Sequence, residues 1–132
     1  MSTALAGQIV IAEEVVFNSE LKSHSIMNTR NRVTVSTYPA VAIVQVWMKL
    51  WMKVEQTYSV ILNAYNPQGE ALIQDRIEPI TNWRPEGMPP GVDMQREIRL
   101  VITEPGVYPI VLRDSQLNVI AEYPLFVAKA SE

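Results

Sequence analysis

The chain has 132 residues, 48% hydrophobic and 19% charged, with a formal net charge of −3 and no cysteine. These totals describe one globular domain over residues 1–132, large enough to bury a core without covalent staples. They exclude disulfides, thiolate nucleophiles and cysteine-held zinc or iron–sulfur sites, and an acidic balance argues against a dedicated nucleic-acid binder, which presents a basic face.

The N-terminal stretch "MSTALAGQIVIAEEVVF" has no basic leader, and Glu13 and Glu14 interrupt its apolar run. It does not read as a secretion signal. No uncharged apolar run reaches the roughly 20 residues of a membrane span. The expected location is the cytoplasm.

Gln8 to Phe17, rich in Val and Ile, predicts the first strand, and "NSELK" supplies turn residues after it. His24 to Met27 and Arg32 to Ser36 follow. The polar "NTRN" between them, Asn28 to Asn31, reads as a turn or as a bulge in one long bent strand. Tyr38-Pro39 marks a strand start, because proline cannot donate to a central ladder.

Ala40 to Met52 is the longest apolar run. Its first half, "AVAIVQV", suits a strand buried on both faces. Its second half alternates, with Val46, Met48, Leu50 and Met52 on one side and Trp47, Lys49, Trp51 and Lys53 on the other. A helix over Val44 to Val54 competes, since Met, Lys and Leu form helices well. The Val/Ile content upstream and the lack of a capping residue near Val44 favour the strand.

Tyr58 to Tyr65 alternates again, and "NPQG" has the proline and glycine positions of a type I turn. Glu70 to Gln74 is the expected returning strand. Arg76 to Asp93 then carries four prolines and two glycines in eighteen residues. It predicts one long Pro-rich surface loop over 76–93, of the kind that is often functional. Alternation resumes over Met94 to Ile102. "EPG" turns the chain into Tyr108, Ile110 and Leu112, "DSQLN" reverses it, and Val119 to Val127 returns with Pro124 at an edge or bulge.

Seven to eight short strands with turn signals between them predict an all-β chain folded as a two-layer antiparallel β-sandwich. The "AEEVVF" strand, the apolar run entered through Tyr-Pro, the "NPQG" hairpin and the late "EPGVYPIVL" pair occur here in a familiar order. In that order the chain resembles a family of small uncharacterised bacterial proteins with an immunoglobulin-like β-sandwich fold. The resemblance covers most of Ile9 to Val127; Arg76 to Asp93 departs from the family pattern. It implies a fold and carries no activity.

Chemistry is sparse. The one histidine, His24, cannot build a multi-imidazole metal site, and no Gly-x-Ser-x-Gly elbow accompanies it. Glu13 and Glu14 are adjacent, so on a strand they point to opposite faces. Asp75 and Glu78 flank the long loop, "GMPPG" is too proline-bound to cradle phosphate, and no alternating acidic run suits calcium. The expectation is a non-enzymatic protein with no catalytic residue, metal or cofactor.

Two features stand out. Tryptophans on a solvent-facing strand mark contact sites, so Trp47, Lys49, Trp51 and Lys53 form a candidate interface. The competing reading is that the long loop, with its own Trp83, folds over them as a second small core. Trp83, Arg84 and Met88 present a second candidate surface, or else a self-packed cover. The expected function is a binding or assembly module that contacts itself or a protein partner through the Trp/Lys strand or the loop. The alternative is a small-molecule or carbohydrate binder with the tryptophans as a stacking platform.

Overall fold

The computed structural model describes residues 6–52, 57–82, 84, 87 and 91–130. Among these residues the regular elements are nine strands: β1 (Ala6–Asn18), β2 (Ser23–Thr29), β3 (Arg32–Val35), β4 (Ala40–Trp51), β5 (Thr57–Tyr65), β6 (Ala71–Thr81), β7 (Val92–Ile102), β8 (Gly106–Asp114) and β9 (Val119–Lys129). The expected seven or eight becomes nine because the polar stretch after Met27 is a crossing. It ends β2 in one sheet and begins β3 in the other. No helix among the described residues is long and apolar enough to cross a membrane.

The strands form two sheets, ordered β2-β1-β4-β7 and β3-β9-β8-β5-β6. Every pairing is antiparallel except β3 with β9, which run parallel from Arg32↔Phe126 to Val35↔Lys129. Alternation explains what lies between the sheets. Ile9 and Ile11, then Val44, Val46, Met48 and Leu50, then Ile98, Leu100 and Ile102 point inward from the first sheet. They meet Val60, Leu62, Tyr108, Ile110, Leu112, Leu125 and Val127 from the second in one core. The strand reading of Ala40 to Met52 holds over the helical competitor, since its 2-residue period matches the inward set.

The turns follow their side chains. The Asn66 carbonyl accepts from Gly69 N–H at 2.9 Å, while Asn66 Oδ1 accepts from Gln68 and Glu70 N–H. Gly69 has φ 85°, which favours glycine. Asp114 closes the β8–β9 hairpin in the same manner, accepting from the N–H groups of Gln116 and Asn118.

The long loop is shorter than expected. β6 runs on to Thr81 and β7 starts at Val92, so the connection spans 82–91 rather than 76–93. Pro79 does not stop β6 because β6 is the edge of its sheet, where a missing N–H costs no ladder bond. The β5–β6 ladder takes up the disturbance as a register shift between Tyr58 and Val60.

Candidate functional site

The Trp/Lys strand is β4, which carries both Trp47 and Trp51. Its inward side chains belong to the core, and Trp47, Lys49 and Trp51 project from the opposite face. Lys53, Trp83 and Met88 lie outside the described residues. Along that face Trp47 sits between Val10 of β1 and Gln95 of β7, and Lys49 between Gln8 and Asp93.

Trp47 is only 9% exposed, whereas Trp51 is 41% exposed. The cover over Trp47 is the β1–β2 hairpin. β1 pairs with β4 only from Ala6 to Ala12, then continues with β2 alone. That divergence brings Val15 and Ile26 over the indole in a small second core with Val10 and Ala12. His24 lies edge-on at 6.5 Å from the indole and tilts against Phe17 at 4.9 Å. A second core does therefore form on this face, built from the hairpin.

Beyond Trp47 the face is ionic. Asp93 is held at both oxygens, by Lys49 Nζ at 3.1 Å on one and by Arg84 at 3.1 Å on the other. Arg84 is further tied down by its N–H, which donates to Asn82 Oδ1, while the fully buried Asn82 donates to the Met52 carbonyl. Arg84 thus anchors the end of the connection to β4 and β7. The indole Nε1 of Trp47 and Oε1 of Gln95 are both enclosed without a hydrogen-bond partner among the described residues, on residues that face each other across β4 and β7.

The carboxylates singled out in the sequence are dispersed. Glu13 accepts from Arg30 and from Asn28 Nδ2, Asp75 pairs with Arg96 at 3.5 Å, and Glu78 pairs with Arg76 at 3.6 Å. Among the described residues no three His, Asp or Glu side chains gather at a metal-sized site.

The sequence reading missed the other end of β4. Val41 and Ile43, in a run whose composition suits a strand buried on both faces, are 58% and 53% exposed, and Val101 opposite Val41 is 54% exposed. The reason is again the path of β1, which leaves β4 at the Ala12↔Gln45 pair and never reaches Ala40–Val44. Beside this stretch opens a cleft of about 420 Å³ lined by Glu13, Arg30, Arg32, Val33, Thr34, Ile43 and Val44. The Arg32 guanidinium lies 5.1 Å above the Phe126 ring. A scan against protein-family models finds no match to this chain, and a search of curated proteins finds no relative.

Proposed function

We propose that the chain is a non-enzymatic binding or assembly module that contacts a second copy of itself or a protein partner through the outer face of the four-stranded sheet. The observation that carries this reading is the exposed trio Val41, Ile43 and Val101 on adjacent strands. Single exposed aliphatic residues are ordinary, but contiguous ones mark contact surfaces. Trp51, on the same face but beyond the covered Trp47 and the Lys49–Asp93 pair, is a separate exposed position of a residue type favoured at interface centres. The stacking-platform alternative is not favoured, because Trp47 lies beneath the hairpin and leaves Trp51 without its neighbouring ring.

We also assign the fold to the immunoglobulin-like class. Two features support this. The Tyr108 hydroxyl, at the start of β8, donates to the Glu104 carbonyl at 2.7 Å, the arrangement of a tyrosine corner. The sheet orders β1-β4-β7 and β9-β8-β5 match the two strand sets of such sandwiches.

Light scattering across a concentration series tests the self-contact form, and a photo-crosslinking residue in place of Ile43 tests the partner form in cells. The expected result is either mass growth with concentration or a discrete crosslinked product, abolished by Val41→Lys with Val101→Lys. A strict monomer whose crosslinks are unchanged in that double variant sinks the reading.

A further inference from the structure

We propose that the open half of β4, Ala40–Val44, accepts an extended acidic segment of another protein as an added strand. The inference rests on the contact reading above and names the chemistry of the partner.

β4 is central by strand order, yet it pairs with β7 along Ala40–Leu50 and with β1 only along Gln45–Trp51. Over Ala40–Val44 one side of its backbone therefore has no strand partner among the described residues. A row of main-chain N–H and C=O groups is a template for another strand. The cleft of about 420 Å³ lies against that side, with Val33 and Thr34 of β3 forming the opposite wall. β3 is itself the last strand of its sheet and, among the described residues, pairs only with β9.

Main chain alone does not choose a partner; the rim does. Among the described residues Glu13 is the cleft's only acidic lining residue, and Arg30 already engages it. Arg32 is exposed, stacks on Phe126 and has no ion-pair partner among the described residues. The rim thus keeps one net positive charge on a chain whose total is −3. A guanidinium held over an aromatic face still presents its N–H fork to a carboxylate. On the outer side, Val41 and Ile43 offer apolar surface to alternate side chains of the incoming strand. The preferred segment alternates acidic and β-branched residues.

The rim is also fixed in advance. Arg30 N–H donates to the Ile11 carbonyl at 2.7 Å, and Phe126 N–H donates to the Asn31 carbonyl at 3.0 Å. The Tyr123 hydroxyl lies 2.8 Å from the Arg30 carbonyl and 2.8 Å from Asn31 Oδ1. A site that need not be ordered on binding keeps more of its interaction energy.

The test uses the full chain and three end-blocked, fluorescent peptides of about six residues, the usual strand length. One alternates Glu with Val, one alternates Lys with Val, and one is the Glu peptide N-methylated at every second residue. Anisotropy reports binding, and amide hydrogen exchange reports where. The expected result is saturable binding of the Glu peptide alone, with new protection within Ala40–Val44. Arg32→Glu weakens it by at least about tenfold, Arg32→Gln by less, and added salt weakens it in the parent chain. Equal binding of the Lys peptide or of the N-methylated peptide, or protection elsewhere, overturns the proposal. So does protection of Ala40–Val44 that grows with the chain's own concentration, which assigns the cleft to a second copy. In any of these cases, loss of contact in Val41→Lys with Val101→Lys leaves the broader contact reading standing.

Discussion

Asp114 shows how one side chain can set a turn. It is buried, and its two oxygens accept from Gln116 N–H, Asn118 N–H and Asn118 Nδ2 at 2.9–3.1 Å. Its own N–H and carbonyl close the hairpin with Asn118 and Leu117. Leu117 takes φ 68°, uncommon for a residue with a branched side chain, inside this set of bonds. Asp114→Ala leaves three donors without their acceptor and is expected to cost about 2–3 kcal/mol by urea denaturation, with Asp114→Asn costing less. Tyr123 offers a pH-dependent counterpart. Burial raises its phenol above the ordinary 10.0, so the folded chain favours the neutral form that donates at the crossing. Its contribution is complete below pH 10 and is lost as pH rises through the raised value. Denaturation midpoints are expected to fall more steeply above pH 10 in the parent chain than in Tyr123→Phe. Parallel curves count against the role.

The β1–β2 hairpin is the element that decides what the first sheet shows to solvent. The tryptophan face was legible in the sequence as a period-2 pattern, and so was the choice between an exposed face and a small second core. What covers Trp47 was not legible, because it depends on where β1 parts from β4, and no residue type announces that point. Ala12, where the ladder ends, is an ordinary small strand residue. Nearby, Gly7 is a constrained position: a Cβ there would lie 2.6 Å from the Lys49 carbonyl, so the close approach of β1 to β4 requires glycine. If the hairpin is the cover, a chain with Trp51→Phe and Trp83→Phe retains one emitter, Trp47, that is blue-shifted and poorly quenched by iodide. Ile26→Asp then moves that emission to the red and exposes it to quencher while the β-sheet circular dichroism remains. Strong quenching before the Ile26 change contradicts the cover.

At the scale of the whole molecule, the two sheets share a core that was largely readable from alternation, and the asymmetry of their margins was not. On one margin β6 and β7 are joined by the connection 82–91 and bridged by Asp75–Arg96. On the other, the chain crosses between sheets at Arg30 and Asn31, β1 turns away, and β4 is left with a half-open side. The prolines misled the sequence reading for a related reason. Their density suggested a loop from Arg76 onward, but Pro79 falls on an edge strand, and edges are assigned by the global fold. The open margin makes a prediction about the free chain that needs no partner. Backbone groups of β5 and β8, flanked by the fully buried Val60, Leu62, Ile110 and Leu112, should exchange their amide hydrogens slowest. β4 by strand order belongs with them, and Ala42 and Val44 are buried in the core. Side-chain burial does not protect an amide that lacks an acceptor, however. Alternate amides within Ala40–Val44, those turned away from β7, should therefore exchange faster than the amides on either side of them along the strand. Over Gln45–Leu50, where both sides are paired, protection should be even. Uniform slow exchange along the whole of β4 means that its margin is closed in solution, and the cleft with it.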